Sequence, residues 1–323
     1  MSALRGMGEE RDLAFLETLL GGRGLLGPGD DAALLPGRRR EAGRAGQLLA
    51  TMDPVVEGRH FLSSAAPRDI GQKLVGRNFS DLAAMAALPE VVLVSFVFGP
   101  TWTFRRRCAL YRAVAHEVAE YGAGWIGGDV AGVEGPSVFS LTALGRCPGR
   151  PIPRDGLRNG DFLHVSGPLG GAPYTKRHLR VKARITLAQE LSRTYPLHAM
   201  IDLSDGLALD LGRMLQASSK GGQPLLGAEL FEGGVPVHRS AQRSPLARGP
   251  LGPLAAALGD GEDFELCFGL SAQASRRLQG DSQFSKILRQ PIGRVCGGPG
   301  LVLRKKDGSG IRLAEEGYLH ELP

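Results

Sequence analysis

The chain has 323 residues, of which 42% are hydrophobic and 22% charged, and 39 Lys and Arg against 33 Asp and Glu leave a formal net charge of +6. That length suits two domains of about 150 residues, each able to bury a core, and the composition is ordinary for a soluble globular enzyme. Aromatics are 6% with no basic stripe interleaved among them, so a nucleic-acid partner is not indicated.

The apolar run near Val91–Phe98 is too short to span a bilayer, and MSALRGMGEERD has no apolar signal core, so a cytoplasmic protein without membrane contact is expected. Cys108, Cys147, Cys267 and Cys296 lie far apart and form no CxxC, which argues against a zinc or thioredoxin-like site.

In chain order, Leu13, Leu16, Leu19 and Leu20 share a helical face over 12–20. Gly22, Gly24 and Gly27 then match GxGxxG formally, but a helix precedes them and Pro28 follows, the reverse of a dinucleotide fingerprint. Leu48–Met52 reads as a strand ending at Asp53, 69–88 as a helix closed by Pro89, Val91–Phe98 as a strand and 105–121 as a helix ended by Gly122. Trp125–Ile126 leads to Gly127-Gly128-Asp129, and a strand covers 137–144. Residues 146–160, rich in Pro, Gly and Arg, mark the domain boundary, giving 1–147 and 148–323.

The second half opens with the strand 162–166 and a GPLGG turn, then basic, irregular residues 172–184 and a helix over 185–195. Ala199–Ile201 run into Asp202 and Asp205, and Gly206 opens a helical pattern of Leu207, Leu211, Met214 and Leu215: strand, tight turn, helix. A strand near 225–230, a short helix at 254–258, the acid-rich turn GDGEDFELCFGL, strands near 292–296 and 301–304 and a KKDGSGIRL hairpin complete an α/β (α+β) chain.

Acids recur where apolar runs end or glycines turn: Asp30 and Asp31, Asp53, Asp129, Asp202 and Asp205, Glu262 and Asp263, with Asp81 inside the apolar helix NFSDLAAMAAL. Singly, each suits an Asx turn, a helix cap or a solvated surface. Together, acids at strand ends converge if the strands share a sheet, and such a cluster repels itself unless hard cations lie within it. Mg²⁺ bridging carboxylates to phosphates is the usual relief. No His pair, thiol cluster, GxxxxGK[ST] or GxSxG offers another chemistry.

The ordered set GDDAALL, TMDPVVEGRHF, NFSDLAAMAALP, GGD, SGPLG, IDLSDGL, GEDFELCF and IGRV resembles the thiamine-monophosphate kinase family across about residues 25–320. That family is similar to aminoimidazole ribonucleotide synthetase, selenophosphate synthetase and a hydrogenase-maturation ATPase. The resemblance implies an aminoimidazole ribonucleotide synthetase-like fold: an N-terminal α/β domain that binds ATP and magnesium and dimerises through its sheet, and a C-terminal α/β domain. It implies a kinase that phosphorylates thiamine monophosphate to thiamine diphosphate by direct in-line transfer from ATP, with several Mg²⁺ ions, as a homodimer.

It further implies Asp31, Thr51, Asp53, Asp81, Asp129, Asp202 and Asp205 as metal ligands, with Asp205 and Asp129 nearest the chemistry. Gly128 and Asp129 would lie against the ATP phosphates. Tyr111, Arg154 and Ser204 would touch the nucleotide, and His60 and Glu262 the thiamine phosphate. Asp30 has no implied role. Met52 stands where the family has a threonine and offers no hard oxygen. Glu315 stands where the family often has a tail tryptophan, with Tyr318 or Phe264 as candidate replacements. The alternatives are another ATPase or synthetase of the superfamily, or an ATP-binding sensor. The first cysteine is Cys108 and the chain ends His-Glu-Leu-Pro, which disfavours the selenophosphate and hydrogenase-maturation chemistries.

Overall fold

The computed structural model describes residues 30–35, 46–220, 223–314 and 317. The helix expected at 12–20, the GxGxxG match, Glu315 and Tyr318 lie outside them. In chain order the strands are β1 Ala33–Leu34, β2 Gln47–Val56, β3 Leu88–Phe98, β4 Gly124–Gly132, β5 Val138–Cys147, β6 Phe162–Val165, β7 Ala199–Asp202, β8 Leu226–Phe231, β9 Leu266–Leu270, β10 Gly293–Gly297, β11 Gly300–Arg304 and β12 Gly310–Leu313. The α-helices are α1 Pro67–Ala84, α2 Phe104–Glu120, α3 Ile185–Thr194, α4 Leu207–Ser218, α5 Pro253–Gly259, α6 Ala272–Gly280 and α7 Lys286–Arg289.

The chain forms two compact units: Ala32–Pro151 with Lys176–Gln189, and Met1–Asp31 with Ile152–Thr175 and Glu190–Pro323. The first holds a sheet ordered β1-β2-β5-β3-β4. Strand β5 alternates cleanly: Phe139, Leu141, Ala143 and Cys147 are buried while Val138, Ser140, Thr142 and Leu144 are half-exposed. One sheet face is therefore packed and the other open. Helix α1 starts on Pro67, where a missing N–H costs nothing. It buries polar Lys73 and Asn78 beside Leu74, Phe79 and Leu82. Thr103 caps α2, accepting the Arg106 N–H at 3.3 Å.

The second unit holds a sheet ordered β12-β11-β8-β10-β6-β9-β7. Its core joins Leu163, Ile201, Leu211, Met214, Leu230 and Val295. His164 of β6 is buried in this unit, stacked 5.5 Å from Phe268. A carbonyl only accepts, so His164 Nδ1 donates to Leu288 O at 3.0 Å while Nε2 accepts from the Ser275 hydroxyl at 2.9 Å. Burial pushes this imidazole down to about 4. Among the described residues no helix is long and apolar enough to cross a membrane.

Three expectations change. Strand β2 runs on through Asp53 to Val56, because pairing with β5 continues at Asp53–Leu141 and Pro54–Ser140, so Asp53 lies mid-strand. Asp129 also lies mid-strand: glycine-rich 124–132 pairs in parallel with β3 and forms the sheet edge. Helix α1 stops at Ala84, short of Pro89; Ala86 turns at φ 54° and Leu88–Pro89 already belong to β3.

Candidate metal and nucleotide site

In the first unit, Thr51 and Asp53 point to the same face of β2, toward α1. Thr51 Oγ1 donates to Asp81 Oδ2 at 2.6 Å. Asp53 Oδ2 takes Arg77 Nε at 3.1 Å and Nη2 at 3.0 Å. Asn78 clamps the Asp53 backbone from both sides, accepting its N–H at 2.8 Å and donating to its carbonyl at 3.2 Å. The acid inside an apolar helix segment is thus half-buried and hydrogen-bonded. Met52, between them, faces the open side of the sheet and is 64% exposed. Its change from threonine therefore leaves the oxygens on the α1 side untouched.

Asp129 does not join this trio within one chain. Register puts it in the row Pro54–Ser140–Ser95–Asp129, on the open face, three strand spacings or about 14 Å from β2. Gly128 lies in the opposite row, beside Val94. Its φ is +152° and an added Cβ would stand 1.8 Å from Val94 O, so only glycine fits. Gly128 and Asp129 border a hollow of about 490 Å³ with Phe96, Tyr111 and Trp125. Tyr111 also lines a second hollow of about 630 Å³ with Phe98, Trp102 and Arg107. Its ring meets Phe96 edge-on at 5.0 Å, and burial raises its phenol. Tyr111 is thus both packed against the core and open to two hollows.

His60 is buried; its Nδ1 accepts the Val56 N–H at 2.9 Å, and its carbonyl takes the buried Lys73 Nζ at 2.9 Å. Lys73 carried no signal in the sequence beyond being a charge on an apolar helix.

In the second unit, β7 delivers Asp202 into a turn that ends at Gly206, the α4 N-cap at φ 116°. A parallel turn, 261–264, is zipped onto it: Glu262 N–H donates to Ser204 O at 2.6 Å and Phe264 N–H to Leu203 O at 2.8 Å. Glu262 and Phe264 hold φ of 54° and 50°, strain of about 1–3 kcal/mol each that gathers at functional turns. Phe264 is only 3% exposed, so it presents no free ring to replace the tail tryptophan.

Asp31 and Asp30 grip Arg154. Its Nη2 reaches Asp31 Oδ1 at 2.8 Å, its Nε lies 3.7 Å from Asp30 Oδ1, and its N–H donates to Asp30 Oδ1 at 3.3 Å. Asp30 therefore orients Arg154. Burial and the neighbouring Asp31 charge push Asp30 up to about 7, and burial likewise raises Asp31. Burial works against Arg154's charge, but Asp31, Asp30 and Asp202 outweigh it. Arg213 bridges Asp205 and Asp210 and lies within electrostatic reach of Asp31. Asp31, Asp202, Asp205, Arg154 and Arg213 thus form one charged group. Arg213 and Asp210 were not singled out from sequence; the signal was an acid four residues into a helix opened by glycine.

The remaining acids of GDGEDFE are structural. Asp263 accepts the Gly170 N–H at 3.1 and 2.8 Å, Asp260 Oδ2 accepts the Gly171 N–H at 2.8 Å, and Glu265 accepts the Ser166 hydroxyl. The glycine turn 166–171 therefore commits these two amides to carboxylates rather than offering them to phosphate.

The residues expected from sequence to hold metal offer only oxygen, largely anionic, a chemistry that would suit a hard cation. Asp31 Oδ2 is a buried carboxylate oxygen with no hydrogen-bond partner. Among the described residues no three His, Cys, Asp or Glu are already gathered around one point. Arginines instead sit on Asp31, Asp53 and Asp205.

A family model described as "AIR synthase related protein, N-terminal domain" matches residues 29–147. Thiamine-monophosphate kinase of Rhodopirellula baltica is 34% identical over 298 residues, 91% of each chain. Thiamine-monophosphate kinase of Escherichia coli strain K12 is 32% identical over 267 residues, 75% of each. A solved structure, AaThiL complexed with AMPPCP and TMP, superposes with a TM-score of 0.78 at 25% identity, covering 97% of both chains. This chain belongs to the thiamine-monophosphate kinase family.

Proposed function

We propose that this chain transfers the terminal phosphoryl group of ATP to thiamine monophosphate, giving thiamine diphosphate and ADP. The observation that carries this reading is the likeness over nearly the whole chain to AaThiL, a protein held with AMPPCP and TMP. The acceptor is itself a phosphate with a second pKa near 6. It is mostly ionised at neutral pH, so the chain needs no strong base. What the chain must supply is charge compensation and alignment of two polyanions. Asp31, Asp202 and Asp205 in one unit, and Thr51, Asp53 and Asp81 in the other, are the oxygens that would hold magnesium, with Asp129 a separate ligand on the open sheet face. When bound, magnesium screens the phosphates and keeps donor and acceptor in line. Arg154, steered by Asp30, would be free to meet nucleotide phosphate were Asp31 to hold metal. Tyr111, between its two hollows, suits an aromatic base. Glu262, His60 and Ser204 are assigned to substrate and nucleotide on the match of their motifs.

A homodimer through the open sheet face completes the reading. Met52, Thr142, Leu93 and Gly127 form one cross-strand row on that face, with Met52 64% and Leu93 41% exposed. An apolar row of this kind is what a second copy would cover.

The test is incubation of the purified chain with ATP, Mg²⁺ and thiamine monophosphate, followed by chromatography. Thiamine diphosphate that disappears with EDTA supports the reading. ADP formed without thiamine diphosphate would move the substrate elsewhere in the superfamily. ATP binding without turnover would make the chain a sensor.

A further inference from the structure

Asp210 lies in the first turn of α4 with its side chain 1% exposed. One oxygen, Oδ2, accepts two turn amides, Asp205 N–H at 3.0 Å and Gly206 N–H at 3.1 Å. The other, Oδ1, takes Arg213 Nη1 at 3.0 Å. These three groups all donate, which is the geometry of an ionised carboxylate. The same Nη1 also lies on Asp205 Oδ2. Arg213 is therefore shared between a carboxylate assigned to metal and one buried behind it. A divalent cation on Asp205 and a guanidinium on the same oxygen repel each other. A cation at that oxygen would favour release of Asp205 by Arg213, and Asp210 is the acceptor already in contact with the guanidinium.

We propose that Asp210 is a positioning residue that shapes the Asp202–Gly206 turn and receives Arg213 when Asp205 turns to metal. This rests on the assignment of Asp205 as a metal ligand. Without the Asp210 charge, Arg213 stays on Asp205 and competes with the cation. Without Arg213, Asp205 binds metal unopposed.

The test is a Mn²⁺ titration of the full chain with a non-hydrolysable ATP analogue, with free Mn²⁺ counted by electron paramagnetic resonance. Asp210→Asn keeps an oxygen for the two amides and is expected to weaken Mn²⁺ binding about five- to tenfold; Arg213→Gln is expected to tighten it about threefold; the double variant is expected to return to within about twofold of wild type. A double variant as weak as Asp210→Asn would reduce Asp210 to a turn-shaping group and overturn the proposal. So would unchanged binding in Asp210→Asn. Should Asp210→Asn fail to fold, Arg213→Gln alone decides, because its arginine is partly exposed: unchanged or weaker binding overturns the proposal. Asp205→Asn separates the two levels. If it leaves Mn²⁺ binding untouched, the metal assignment itself has failed; if it weakens binding while Asp210→Asn does not, only the positioning role has.

Discussion

Removing the charge of Asp205 by Asp205→Asn is expected to lower turnover at least about a hundredfold while the circular dichroism spectrum stays that of wild type, since the proposed anionic metal ligand is lost and the turn amides keep their Asp210 acceptor. Wild-type turnover would remove Asp205 from the site. Met52→Thr restores the family's residue, yet the side chain lies on the face away from Asp53. Its half-saturating Mg²⁺ is expected to stay within about twofold of wild type, as for a residue that contributes no ligand. A larger change measured by activity against Mg²⁺ would reverse the face assignment. Single residues were unevenly legible. Asp202 and Asp205 announced themselves because an apolar run stops at them. Asp210 and Arg213 did not, because an acid and an arginine three apart on a helix look like any solvated pair until burial is known.

At the scale of elements, the strand, turn and helix spanning Ala199–Ser218 could be read almost residue by residue, since apolar period and glycine agree there. The 124–132 edge strand could not: its glycines depress strand propensity, and only pairing with β3 makes it a strand. Asp53 was read as a strand end and Asp129 as part of a glycine turn, because backbone pairing continues past a polar side chain. Gly206→Ala is expected to cost about 1–3 kcal/mol, seen as a lower thermal midpoint, because the cap needs a positive φ. His164 ties β6 to α6 and α7, and its pH dependence has a definite sign. Unfolded, the imidazole takes a proton below 6.5; folded, it waits until about 4. Stability is therefore flat above pH 6.5 from this group and falls as pH drops from 6.5 to about 4, by about 3 kcal/mol in all. His164→Gln is expected to flatten that limb in thermal melts across the range. An unchanged slope would show that another group carries the acid response.

For the whole molecule, the α/β class and the aminoimidazole ribonucleotide synthetase-like plan were legible because motif order survives where each motif alone is common. Lys176–Gln189 packs with the first unit although it follows the boundary read from sequence, since a linker's composition does not say where the chain returns. If the open sheet face is the dimer surface, Leu93→Glu is expected to shift the chain from dimer to monomer in sedimentation, a buried unpaired charge costing several kcal/mol per interface. A dimer unmoved by that change would place the interface elsewhere. The glycine turn 166–171 bears on how the molecule behaves among competing anions. Two of its amides are already bonded to Asp263 and Asp260. In this reading phosphate is gripped chiefly through a cation, and stray sulfate or orthophosphate gains little by arriving alone. Occupancy in a cell would then follow the free magnesium level more closely than the abundance of bare anions, so that the ion acts as the admission ticket and the nucleotide as its bearer.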